Sequence, residues 1–147
     1  MVNVKHRKFA ALIFLALNVT TTCPKTSNDH QQTINSPNFP SNYGNFMHCT
    51  WKIEAPVGRL IRVRSFAYSI QTCTYCVNDA CDTDVLKIRD GSSAHSNMIA
   101  ELCGSNTISG LASTWNTLFL EFETNIDFVY TGFNIQYSLI GIFITYQ

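Results

Sequence analysis

The chain has 147 residues, 46% of them hydrophobic, with ten basic and ten acidic side chains. That length holds one domain with a sizeable core and leaves no room for a second of ordinary size. No basic patch with interleaved aromatics is present, so nucleic acid is not an expected partner.

The N-terminus reads as a secretory leader. Lys5, Arg7 and Lys8 precede an apolar run over residues 9–17, and small or polar residues follow over 18–22, the order of regions that export requires. A membrane-spanning helix needs about 20 apolar residues, roughly twice what the run supplies, so no membrane span is expected. Residues 1–22 are assigned to the leader, whose removal takes away three basic and no acidic residues and leaves a mildly acidic secreted domain. The sequon Asn18-Val19-Thr20 is expected to leave with it.

All six cysteines, Cys23, Cys49, Cys73, Cys76, Cys81 and Cys103, lie beyond the leader. An even count in an exported chain points to disulfides. The competing zinc reading rests on Cys73-x-x-Cys76 followed by Cys81, without a second Cys/His pair at comparable spacing.

Residues 23–32 are polar and show no element. The stretch 34–43, rich in Pro, Asn and Ser, predicts an ordered turn anchored by Phe39 and Tyr43. From Cys49 onward Thr50, Lys52 and Glu54 alternate with Trp51 and Ile53, a strand pattern. Pro56-Val57-Gly58 then turns the chain, and a partner strand over 59–68 completes a two-stranded unit. The apolar phase changes after Ser65, from Ile61 and Val63 to Phe66, Tyr68 and Ile70, which predicts a bulge or bend.

Residues 71–82 form a cysteine-rich loop with Asp79 and Asp82. A strand over 84–89 stops at Asp90-Gly91, and a shorter one covers 98–102. After a polar stretch, residues 117–123 and 132–137 alternate again. No window past the leader shows the 3.6-residue period of an amphipathic helix. Short alternating strands with turns between them describe an all-β sandwich in which each strand buries one face.

The chain carries no H-E-x-x-H, no G-x-S-x-G and no phosphate-cradling glycine loop. His30, His48 and His95 read as surface residues. No catalytic residue is expected, and the chain is read as a non-enzyme.

Several motifs in order carry a family resemblance. Ser36-Pro37-Asn38-Phe39-Pro40-x-x-Tyr43 is followed by Cys49-x-Trp51-x-Ile53 and Ala55-Pro56-x-Gly58. Cys81-x-x-Asp84-x-Leu86-x-Ile88-x-Asp90-Gly91 then leads to Cys103-Gly104, and Phe122 precedes Gly132-Phe133 and Tyr137. Over residues 23–137 the sequence resembles a CUB domain, with 138–147 an apolar tail beyond it.

The resemblance implies a jelly-roll-like sandwich of two antiparallel sheets, stapled by Cys23–Cys49 and Cys81–Cys103. It leaves Cys73 and Cys76 for each other, with exchange involving Cys81 as the alternative. It also implies calcium at one edge, held by a tyrosine and three acids and used to grip a partner protein's lysine. By position the tyrosine falls on Tyr43 and the acids on Gln71, Asp84 and Asn125, with Asp127 close by. Two of the acids are therefore amides, which removes formal charge from a site whose affinity depends on it.

The implied function is a secreted, non-catalytic module recognising an extracellular protein or glycan, with calcium assisting. The alternative is a non-catalytic module, or a truncated product, of a larger extracellular protease or receptor.

Overall fold

The computed structural model describes residues 18–23, 27–28, 32–72 and 80–141. Residues 1–17 of the leader, Cys73 and Cys76, Asp79 and residues 142–147 of the tail lie outside the described residues.

In chain order the strands are β1 (Asn18–Thr21), β2 (Ser27–Asn28), β3 (Thr33–Asn35), β4 (His48–Glu54), β5 (Arg59–Val63) and β6 (Phe66–Ile70). They continue as β7 (Val85–Asp90), β8 (Asn97–Leu102), β9 (Gly104–Ile108), β10 (Thr117–Glu123) and β11 (Gly132–Gly141). They form two antiparallel sheets, one in the order β1-β4-β10-β7-β8 and the other β2-β3-β11-β6-β9, with β5 also pairing β11. No helix occurs among the described residues.

Alternation along the strands becomes the core. Trp51 and Ile53 of β4, Leu118, Leu120 and Phe122 of β10, and Leu86 and Ile88 of β7 are buried against Ile34, Ile61, Phe133, Ile135 and Tyr137 from the other sheet. Burying each such side chain contributes about 1.5–3 kcal/mol. Phe133 sits edge-on to Phe122 at 5.2 Å and to Trp51 at 5.9 Å between centroids, the arrangement that ring quadrupoles favour.

The disulfides Cys23–Cys49 and Cys81–Cys103 are formed, with Cα atoms 5.3 and 5.6 Å apart. Each ties an incoming segment to a strand end, which restricts the unfolded chain. The phase change after Ser65 is also realised. β5 and β6 both pair with β11, but Phe133 faces Tyr68 while Tyr137 faces Val63, a one-residue slip in register.

Three expectations are corrected. First, β4 and β5 do not pair with each other: β4 lies between β1 and β10, whereas β5 joins β11 in the opposite sheet. The 56–58 turn therefore crosses between sheets, because the apolar faces of β4 and β5 line the same core. Second, Phe39 does not anchor the early turn; it is exposed, and only Tyr43 is buried. Backbone bonds Phe39 N–H to Ser36 O and Ser41 N–H to Asn38 O hold the turn instead. Third, the polar stretches read without an element contain β2 and β9, and β3 occupies the start of the stretch read as a turn. β9 pairs with β6 at a sheet edge with residues 105–107 exposed, so it buries too little to leave a hydrophobic period.

Two strands extend past the expected domain limits. β1 falls within the stretch assigned to the leader and pairs with β4 from Asn18↔Glu54 to Thr21↔Trp51, with Val19 against the core. β11 runs on to Gly141 along β5.

At Gly132 the backbone has φ +75, and an added Cβ would overlap the buried Ser36 side chain and meet the Tyr43 ring at 3.3 Å. Ser36 Oγ accepts the Phe133 N–H at 3.0 Å. Gly132→Ala is expected to lower unfolding stability by about 2–4 kcal/mol from backbone strain plus a disturbed buried hydrogen bond. Urea denaturation measures this, and a change below about 1 kcal/mol would contradict the close approach described.

Candidate functional site

Strand order brings four chain segments to one end of the sandwich. Glu123 at the end of β10 pairs with Val85 at the start of β7, so Asn125 and Asp84 lie side by side just beyond the sheet. β6 ends at Ile70 in the other sheet, placing Gln71 at the same end, and the early turn delivers Tyr43 between them.

Hydrogen bonds join the four. Asp84 is fully buried, and its Oδ2 accepts the Tyr43 hydroxyl at 2.7 Å while its Oδ1 accepts the Asn125 N–H at 2.8 Å. The Tyr43 oxygen in turn accepts the Gln71 N–H at 2.9 Å. Thr83 Oγ1 donates to the Gln71 carbonyl at 3.3 Å, and Asn125 Oδ1 accepts the Asp127 N–H at 2.8 Å. Asp127 itself is exposed. Among the described residues no cation forms an ion pair with Asp84. Of the five positions singled out from the sequence, Tyr43, Gln71, Asp84 and Asn125 thus form one connected cluster. Asp127 stands at its rim.

Burial, and then the hydrogen bond to Asp84, push the Tyr43 phenol well above its ordinary value of 10. Tyr43 is therefore a fixed neutral donor across physiological pH. Its ring also packs edge-on to Phe122 at 5.1 Å, which ties the cluster to the core.

The oxygens of Gln71, Asp84, Asn125 and Asp127 are the hard ligands that calcium takes. Gln71 Oε1 is buried and has no hydrogen-bond partner among the described residues. An unsatisfied buried acceptor costs about 1–3 kcal/mol, which a bound cation would relieve, so the donor set fits calcium through oxygen chemistry.

Around the cluster two loops are laced together. Phe46 N–H donates to Asn125 O at 2.9 Å, Tyr43 N–H to Tyr130 O at 3.0 Å, Asn45 Nδ2 to Ile126 O at 2.7 Å and Asn42 Nδ2 to Val129 O at 3.3 Å. On this framework Phe46, Ile126 and Phe128 are 73%, 63% and 72% exposed. Sequence reasoning missed this rim. The available signal was large apolar residues inside polar loops, out of phase with any strand.

A profile of the CUB domain matches residues 23–137. The chain belongs to the CUB domain family. Among relatives it is 39% identical over 97 residues to exoskeleton protein RP43 of Riftia pachyptila, covering 66% of this chain and 22% of that protein. It is 32% identical over 123 residues to human cubilin, covering 84% of this chain and 3% of that one. The chain thus spans a small part of these relatives. The fold matches the crystal structure of the MASP-1 CUB2 domain bound to Ca2+ with a TM-score of 0.59 at 20% identity, covering 71% of this chain and 88% of that one. Among the described residues the CUB sandwich is built of strands alone, with Cys23–Cys49 and Cys81–Cys103 at strand ends.

Tyr43→Phe strips the hydroxyl from a buried network and is expected to cost about 1–3 kcal/mol. Because the folded-state phenol titrates above its unfolded value near 10, its contribution is complete below that pH and declines as pH rises beyond it. Urea melts between pH 7 and 11 are expected to show this alkaline loss in the wild type and less of it in Tyr43→Phe. Equal slopes would contradict the assignment.

Proposed function

We propose that this chain is a secreted, non-catalytic recognition module that binds an extracellular protein through the loop edge formed by residues 38–46 and 125–130, with calcium assisting at Gln71, Asp84, Asn125 and Asp127. The observation that carries this reading is the rim of Phe46, Ile126 and Phe128, held outward by loops that are bonded to each other and to a buried carboxylate. Folding gains little from large side chains left in water. Phe46 also adopts φ 54, a conformation that costs a non-glycine residue energy and is retained where the surroundings over-determine it.

A protein ligand is favoured over a glycan by the use already made of the loop amides. Asn42 and Asn45 donate to backbone carbonyls, and Asn125 Oδ1 accepts a backbone N–H. Three amides that could read sugar hydroxyls are thus engaged with backbone, while exposed aromatic anchors of the kind that dominate protein interfaces face outward. The basic-then-apolar N-terminus and the two disulfides support an extracellular setting. The same edge would serve a module within a longer protein, a reading favoured by how small a share of RP43 and cubilin the chain spans.

Phe46→Ser with Phe128→Ser is expected to leave the melting temperature within a few degrees, because both side chains are exposed. Capture of the partner from extracellular fluid is expected to fall at least tenfold. Undiminished capture would sink the loop-edge reading.

Calcium in the range of about 10⁻⁴–10⁻³ M, typical of extracellular modules, is expected to raise the melting temperature of the wild type. Asn125→Asp, which restores a carboxylate, is expected to shift that response to lower concentration. No response in either protein would remove calcium from the proposal and leave the apolar rim standing.

A further inference from the structure

We propose that His48, Glu121 and Glu123, on the outer face of the first sheet, form a binding site for a divalent transition metal, zinc above all. The antiparallel pairing of β4 with β10 sets His48 directly opposite Glu123, and Glu121 lies two residues along on the same outward face. His48 Nε2 is 2.9 Å from Glu121 Oε1 and 3.7 Å from Glu123 Oε1. One ligand atom from each residue lies within 4.8 Å of the others. A tetrahedral zinc with bonds of about 2.1 Å sets its ligand atoms roughly 3.4 Å apart, so the two measured separations bracket the value the metal requires.

The ligand types select the metal. An imidazole nitrogen beside two carboxylate oxygens suits a borderline ion such as zinc, whereas calcium and magnesium prefer oxygen alone. This separates the site from the loop edge, whose donors are all oxygen. The open side of the trio faces solvent through His48, which is exposed, leaving room for water to complete a fourth position.

The surroundings hold the trio in place. His48 precedes Cys49, whose disulfide to Cys23 pins the start of the strand. Lys87 Nζ bonds Glu123 Oε2 at 3.2 Å, which fixes that carboxylate and leaves Oε1 toward His48. The lysine charge also opposes a nearby cation, which makes Lys87 a tuning residue.

Isothermal titration of the full secreted chain with zinc chloride, in millimolar calcium, tests the site. One zinc per chain is expected. His48→Ala and Glu121→Gln are each expected to weaken it at least tenfold, and Lys87→Met to tighten it several-fold. The His48 ring resonances are expected to move on zinc addition, and circular dichroism to show the same fold in every variant. Absence of binding at 1 mM zinc, an unchanged affinity in His48→Ala, or displacement of zinc by calcium would overturn the proposal.

Discussion

The buried carboxylate of Asp84 is the constraint on which the loop end of this molecule depends. A carboxylate removed from water is costly unless each oxygen is hydrogen-bonded, and here one oxygen takes the Tyr43 hydroxyl and the other the Asn125 N–H. Those two partners come from opposite halves of the chain, so satisfying one side chain fixes the early turn against the loop after β10. Tyr43 then passes the constraint inward through edge-on contacts with Phe122 and, beyond it, Phe133 and Trp51. The loops are thereby fastened to the core, and the aromatics they present stand on an already ordered framework. Preorganisation of this kind improves affinity by reducing what binding must immobilise.

The outer face of the first sheet follows different physics. Lys52 pairs with Glu54 and Lys87 with Glu123 on that face, and exposed pairs of this sort contribute about 0–1 kcal/mol. They do little to hold the sandwich, which rests on the apolar face beneath them. What they do set is local charge. His48 meets two carboxylates, of which Glu123 also pairs with Lys87 while Lys87 lies opposite Glu121 across the strands.

How much of this was legible in the sequence depended on whether a residue's role follows from its neighbours in the chain. The strands β4, β7 and β10 alternate cleanly and were visible, as was the bend between β5 and β6, because burying one face leaves a period of two. β9 left no such trace, and the 56–58 turn looked like a hairpin because periodicity tells which face is buried but not which strand lies alongside. Phe39 and Tyr43 show the same limit: both are aromatics in one turn, but only Tyr43 has buried groups placed to meet its hydroxyl. The Tyr43, Gln71, Asp84 and Asn125 cluster entered only through the family resemblance, since its members are scattered along the chain. His48 with Glu121 and Glu123 could not be seen at all without the β4–β10 register.

The amides at Gln71 and Asn125 gain a meaning from this geometry. Several carboxylates packed around a buried spot repel one another and lose solvation, and a cation must neutralise them before the edge can settle. With amides in two of those places, and with the Tyr43 phenol held neutral by burial and by Asp84, Asp84 is the single buried acid among the described residues and its hydrogen bonds accommodate it. Gln71 Oε1, buried and without a hydrogen-bond partner among the described residues, is a group there that would gain from a cation. The hydrogen bonds of Tyr43 and Asn125 to Asp84 hold this edge together through protein groups alone.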